Sequence, residues 1–185
     1  MASSRQPTAV FLLVHLLLFL HVETAAPPPA AVVRTLCKAT LYRGLCNRRM
    51  SKLPPSVTRS PTKLAGAAVG LALGSAESAS AHLKSLSAAV GKKSGRLQDC
   101  VENMRDCADR LRESVRELAQ LGRPGSPGFV FRVDNVQTWV SAALTDADTC
   151  LGELPPAPAA AEKVSHAMQM TSNALVFVNS LAAKN

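Results

Sequence analysis

The stretch Thr138-Trp139-Val140-Ser141-Ala142-Ala143-Leu144-Thr145-Asp146-Ala147-Asp148-Thr149-Cys150 carries two patterns at once. Val140, Ala143, Ala147 and Cys150 recur at steps of three and four, the spacing that lines up side chains on one face of an α-helix, and Val133 and Val136 extend the row backwards. The other side holds Asn135, Thr138, Ala142, Thr145 and Thr149, all small, with Asp134 and Asp148 at one edge. One side is built to be buried among other helices. The other is a flat, weakly charged surface that loses little side-chain entropy when a second molecule covers it. Trp139, the only tryptophan of the chain, lies beside the apolar row and is expected to seal the edge of the core.

The same periodicity recurs on both sides of this stretch. From Thr62 it selects Ala65, Val69, Ala72, Ala76, Ala79, Leu83, Leu86 and Val90. From Arg96 it selects Leu97, Cys100, Met104, Cys107, Leu111, Ser114, Leu118 and Leu121, and from Glu162 it selects Val164, Ala167, Thr171, Ala174, Val178 and Leu181. Pro54-Pro55, the stretch from Gly91 to Gly95, Arg123-Pro124-Gly125-Ser126-Pro127-Gly128 and Pro155-Pro156-Ala157-Pro158 break the runs. Four amphipathic runs with short connections imply an all-α, up-down-up-down four-helix bundle over residues 61–185. A basic helical hairpin over residues 27–60 precedes it, with a turn expected at Tyr42-Arg43-Gly44. The composition fits, since 47% apolar but only 4% aromatic residues mean a core of Ala, Leu and Val that suits closely packed helices. Gly66, Gly70 and Gly74, repeating every four residues, are expected to let a neighbouring helix approach closely.

The N-terminus carries Arg5 and then the apolar run Ala9–Leu20, too short to span a bilayer comfortably and followed by small residues at Ala25 and Ala26. It is read as a secretion signal over residues 1–26; because Pro27 would sit poorly just after a cleavage point, the cut is expected anywhere from 24 to 31. Secretion places the 5 cysteines in an oxidising compartment, where two bridges and one leftover thiol are the expectation. Cys100 and Cys107 are seven residues apart in a strongly helical run, roughly 10 Å along the axis and beyond bridging range. Cys37 and Cys46 flank the hairpin turn, which favours a local bridge. Cys150 is left for either Cys100 or Cys107.

The net charge of +8 is placed unevenly. Arg5 and Glu23 cancel, and residues 64–185 hold 12 basic and 12 acidic side chains, so the whole excess lies in Arg34, Lys38, Arg43, Arg48, Arg49, Lys52, Arg59 and Lys63. This is a basic arm on a neutral body. Arg43, Arg48, Arg49 and Lys52 are the candidates for holding a polyanion, such as de-esterified pectin, or a membrane surface.

Catalytic chemistry finds little support. Beyond the signal the imidazoles are His82 and His166, both inside helical runs and at no fixed spacing from a nucleophile, so Cys107 is read as a free buried thiol packing as a small hydrophobe. No cluster has metal-ligand spacing, no glycine loop ends in Lys-Ser or Lys-Thr, and no Asn-x-Ser or Asn-x-Thr acceptor occurs. Neither metal nor cofactor is expected. Glu102, Asp106, Asp109, Glu113 and Glu117 alternate with Arg105, Arg110, Arg112 and Arg116 at helical separations, which reads as a solvated, salt-bridged face.

Leu36-Cys37-Lys38-Ala39-Thr40-Leu41-Tyr42-Arg43-Gly44-Leu45-Cys46, Leu97-Gln98-Asp99-Cys100, the stretch 138–150 and Thr171-Ser172-Asn173-Ala174-Leu175 together resemble the plant invertase and pectin methylesterase inhibitor family, through nearly the whole chain after the signal. The resemblance implies a bridge from Cys37 to Cys46 and a second from Cys100 to Cys150. Two positions depart from the family pattern: Met104 stands where Tyr is usual and Cys107 where Ala is usual, both on the inward row. Invertase inhibitors tend to carry Pro-Lys-Phe near the start of the last helix, and here Leu154-Pro155-Pro156-Ala157-Pro158 lacks Lys-Phe. The resemblance therefore implies a secreted inhibitor of pectin methylesterase in the cell wall, with inhibition of acid invertase as the alternative. It implies occlusion of the enzyme's cleft by the second and third bundle helices, with Arg105, Asp109, Arg112, Thr138 and Thr145 as the expected contact residues, none of them performing chemistry. Some relatives carry a methylesterase domain after this one; ending at Asn185, the chain is expected to act in trans.

Overall fold

The computed structural model describes residues 28–90 and 95–182. Along these residues run α1 (Pro29–Ala39), α2 (Arg43–Met50), α3 (Pro55–Thr58), α4 (Pro61–Val90), α5 (Gly95–Leu118), α6 (Pro127–Glu153) and α7 (Pro158–Ala182), and no strand occurs among them. Five of these seven helices begin on proline, whose fixed φ suits a first helical residue and whose missing N–H costs nothing there. The start of α6 is the best anchored. Ser126 Oγ accepts from the Phe129 N–H at 3.2 Å and donates to the Arg123 carbonyl at 2.9 Å. Gly122 and Gly125 turn the chain into it with φ of 75° and 77°, a left-handed conformation that a side chain would strain. The expected signal, residues 1–26, lies outside the described residues. A cut after Pro29 or later would take residues from the first turn of α1.

Helices α4 to α7 form the bundle. α4 packs on α5, α5 on α6, α6 on α7 and α7 back on α4, closing a square. Every expected inward residue of α5, α6 and α7 is buried, Met104 and Cys107 included. Ser114, the one polar member of the α5 row, is satisfied by donating to the Arg110 carbonyl at 2.8 Å. On α4 the core is narrow: Ala65, Ala68, Ala72, Ala76 and Ala79 are buried, so backbones come together while Leu64, Leu83, Leu111 and Phe177 fill the wider layers. The row on α4 ends earlier than its periodicity suggests. Leu86 is only partly buried and Val90 is 50% exposed, because the 30-residue α4 is the longest helix and its last turn reaches the rim of the bundle.

The hairpin is fastened to the bundle rather than set apart from it. Val33, Cys37, Leu45, Cys46 and Met50 belong to the same apolar cluster as the bundle core. The turn falls at Thr40–Tyr42, one residue before Arg43 opens α2. Gly44 therefore lies in the first turn of α2 and is not needed for the reversal. At the tip, the buried side chain of Asn173 on α7 grips one backbone unit: its Nδ2 donates to the Tyr42 carbonyl at 3.1 Å and its Oδ1 accepts from the Tyr42 N–H at 3.3 Å.

Two disulfides close the fold, Cys37 to Cys46 and Cys100 to Cys150, with Cα separations of 5.5 and 4.3 Å. The second ties the second turn of α5 to the last turn of α6. In the chain-entropy picture, loops of 9 and 50 residues correspond to about 2.6 and about 4 kcal/mol of stabilisation. Cys107 remains a free, buried thiol.

Candidate functional site

The seam between α5 and α6 holds the one tryptophan in a polar setting. Trp139, projecting from α6, lines a groove of about 370 Å3 with Asp106, Asp109, Arg110 and Glu113 of α5. Arg110, one of the lining residues, donates from Nε to Asp146 Oδ2 on α6 at 2.8 Å, and the Asp146 side chain is only 17% exposed. Burial pushes the Asp146 carboxyl above its ordinary range, the Arg110 hydrogen bond and charge pull it back, and the neighbouring Asp106 charge adds to the rise. Burial also pushes the Cys107 thiol behind it up to about 12, with the Asp146 charge contributing. That thiol is not a nucleophile near neutral pH.

Thr138, Thr145 and Thr149 stand exposed along α6, with Ala142 half-buried between them. The Thr138 and Thr145 hydroxyls donate to the carbonyls of Asp134 and Ser141 at 2.9 and 3.2 Å. Their donors are spent within the helix, but their oxygens can still accept from another molecule. Asp109 lines the groove itself. Arg105 is exposed on the outer ridge of α5 and pairs with Asp106 at 3.2 Å. Arg112 lies at the opposite edge of that helix, pairing with Asp109 and, at 2.7 Å, with Glu77 of α4. The structure thus brings Asp109 to Trp139 in the groove, leaves Thr138 and Thr145 on the exposed side of α6 outside the groove lining, and directs Arg112 toward the α4–α5 seam.

The charged face of α5 is cross-linked to both neighbours. Arg116 pairs with Glu113 at 2.7 Å within the helix, while Glu117 reaches Arg132 of α6 at 3.2 Å and accepts from Asn135 at 3.4 Å. Exposed pairs of this kind are worth about 0.5 kcal/mol each. Their larger effect is to hold the side chains of a surface still. Trp139 and Asp146 were not among the expected contact residues. The step from 139 to 142 to 146 puts them on one side of α6, which a sequence signals, but only the packing shows that this side meets Asp106 and Arg110.

On the hairpin, Arg43, Arg48, Arg49 and Lys52 are all exposed. Arg49 Nη2 reaches His166 Nε2 on α7 at 3.3 Å. The His166 imidazole is held below its ordinary pKa by burial first, then by the Arg49 and Arg48 charges, against a smaller opposite pull from Glu162. Among the described residues no group of three or more His, Cys, Asp or Glu side chains could hold a metal ion, and no helix is long and apolar enough to cross a membrane.

A 21 kDa protein of Daucus carota is 32% identical over 181 residues, covering 91% of this chain and 93% of its own. Pectinesterase inhibitor 10 of Arabidopsis thaliana is 35% identical over 161 residues, covering 82% of this chain; the chain spans about half, 51%, of that relative's length. The fold is shared with the crystal structure of a mutant form of a pectin methylesterase inhibitor from Arabidopsis, at a TM-score of 0.63 and 21% identity, over 78% of this chain and 93% of the other. The sequence profile described as plant invertase/pectin methylesterase inhibitor matches residues 31–177, and the chain belongs to that family.

Proposed function

We propose that the protein inhibits pectin methylesterase by seating the α5–α6 face against the enzyme's substrate cleft. The observation that carries this reading is the exposed row Thr138, Thr145 and Thr149 on α6, the helix that also carries the half-buried Trp139 and is bridged to α5 by Cys100–Cys150. Small side chains on a covalently fixed pair of helices lose little entropy on being covered. A half-buried tryptophan ringed by carboxylates offers the aromatic anchor on which such contacts commonly turn. Asp109, Thr138 and Thr145 are assigned to the contact with Arg105 at its margin, while Arg112, held by Glu77 of α4, is left out of it. The names of the relatives, pectinesterase inhibitors among them, support the methylesterase over the invertase. Action is placed in the cell wall after secretion, and no step of it is catalytic. The eight cations of residues 27–63 support a complementary role in retention on acidic pectin.

The test is side-by-side inhibition of a purified pectin methylesterase and a purified acid invertase at wall-like acidic pH. The methylesterase is expected to be blocked and the invertase not. Trp139→Ala should weaken inhibition about tenfold or more, as loss of an aromatic anchor does. Inhibition of the invertase alone, or of neither enzyme, would overturn the reading.

A further inference from the structure

Gly70 and Gly74 do not draw a helix close, contrary to the expectation from their spacing. A methyl group at either, or at Gly66, would meet nothing within 4 Å. They open a groove of about 570 Å3 between α4 and α7, over which α2 places Arg49. Its floor is the glycine backbone with Leu71, and its walls present Ser75, Ser78, Glu162, Lys163 and His166. Arg49 rests on a neutral partner: a guanidinium only donates, so His166 Nε2 accepts and the ring carries its proton on Nδ1. Arg105, Arg110, Arg112, Arg116 and Arg132 on α5 and α6 all have carboxylate partners. Arg49 and Lys163 have none within ion-pair distance among the described residues. Two cations that make no ion pair, two serine hydroxyls and a floor of bare backbone converge on one open channel, with Glu162 the one carboxylate lining it.

We propose that this groove binds a carboxylated saccharide, a short stretch of de-esterified uronate chain. Its carboxylates pair with Arg49 and Lys163, its hydroxyls meet Ser75 and Ser78, and a sugar ring lies over the backbone that Gly70 and Gly74 leave uncovered. The anionic character follows from the unpaired cations. The choice of uronate rests on the methylesterase reading above. In the square of the bundle the α4–α7 seam lies opposite the α5–α6 seam, so one face can hold polymer while the other holds enzyme. An anion in the groove also offsets the Arg49 and Arg48 charges that, with burial, hold His166 neutral, while Glu162 and Lys163 stay in place on its own helix. α4 brings only glycine, leucine and serine to that wall.

Calorimetric titration of the folded, disulfide-intact protein with a galacturonate oligomer, its fully methyl-esterified counterpart and inorganic sulfate tests the site. The free acid should bind, with the ester weaker by about tenfold or more because its capped carboxyls lose their charge-assisted bonds, and sulfate weaker by a similar factor because it lacks the sugar ring and hydroxyls. Gly74→Leu is the decisive variant, since it fills the groove without changing charge and replaces glycine by a better helix former. It should abolish binding while leaving inhibition of methylesterase intact. Arg49→Gln and Lys163→Gln should each weaken binding about tenfold, whereas Arg43→Gln with Lys52→Gln, at exposed positions outside the groove lining, should change it less than about twofold. The His166 ring resonances should titrate at higher pH with oligomer bound. Unchanged affinity in Gly74→Leu would show diffuse adsorption on the basic arm and overturn the proposal, as would equal binding of the ester or of sulfate. Loss of enzyme inhibition with oligomer binding intact would instead count against the methylesterase reading alone.

Discussion

Replacing Asn173 by alanine should loosen the hairpin from the bundle while leaving the four long helices assembled. The side chain is 4% exposed and bonds both the carbonyl and the N–H of Tyr42, at 3.1 and 3.3 Å, across 131 residues of chain. Each bond is worth about 1 kcal/mol net, and a backbone group left without a partner costs a further 1 kcal/mol or so when water reaches it poorly. Tyr42 is half-buried, so water recovers part of the loss and the expected destabilisation is about 2–3 kcal/mol. For a chain of this size that is a fall of about 5–10 °C in the midpoint of thermal unfolding, read by circular dichroism without reductant. Hydrogen exchange should accelerate at Tyr42 and the neighbouring turn before it does in α5 or α6. Asn173→Asp keeps the acceptor for the N–H but turns a carboxylate toward the Tyr42 carbonyl, so it should be at least as damaging at neutral pH and partly recover as acid protonates it. Asn47→Ala, which removes only an exposed bond to the Arg43 carbonyl within α2, is the control and should cost less than about 0.5 kcal/mol. A melting curve for Asn173→Ala superimposable on that of the parent, or unchanged exchange at Tyr42, would refute the reasoning.

The two bridges should separate by size in guanidinium unfolding: Cys100→Ala with Cys150→Ala should lose about 4 kcal/mol, and Cys37→Ala with Cys46→Ala about 2.6 kcal/mol, with the reverse order refuting the loop-length account. Cys107 should be silent to a thiol reagent at pH 8 in the native protein and give one equivalent after denaturation without reduction; prompt native reaction would contradict a buried thiol whose pKa is pushed to about 12. His166 should make the fold acid-sensitive. The unfolded imidazole takes a proton near its ordinary 6.5, the folded one only at lower pH, so its contribution is whole above 6.5 and drains away as pH falls toward the folded value. His166→Gln should flatten that part of the stability profile measured by unfolding at a series of pH values, and an unaltered slope would place the sensitivity elsewhere.

What a single sequence could convey here was the inward face of each helix. The rows on α5, α6 and α7 are buried residue for residue, because apolar side chains at steps of three and four leave one orientation that removes them from water. Periodicity does not say which neighbour each flank of a helix leans against. That is why Arg112, read as part of one contact surface, is found reaching Glu77 on α4, and why neither the place of Trp139 in a groove with Asp106 and Arg110 nor the pairing of Asp146 with Arg110 was legible. Asn173 stood in a stretch legible as a family likeness, yet its grip on Tyr42 depends on two segments at opposite ends of the chain. The glycine row of α4 was misread for a related reason: absence of a side chain permits close approach, but whether anything approaches depends on what stands across the gap. The four-residue α3 was hidden by Pro54-Pro55, which reads as a break although the second proline is a favourable first helical residue.

Cys37, Cys46, Cys100 and Cys150 are at most 1% exposed. A small thiol in the surroundings therefore has nothing to attack until the polypeptide opens around it. The durability of the cross-links is then governed by how often the folded chain breathes, not by the reducing strength outside. Such an inhibitor would outlast a passing reductive burst and fail only where heat, acid or a protease first pries its helices apart.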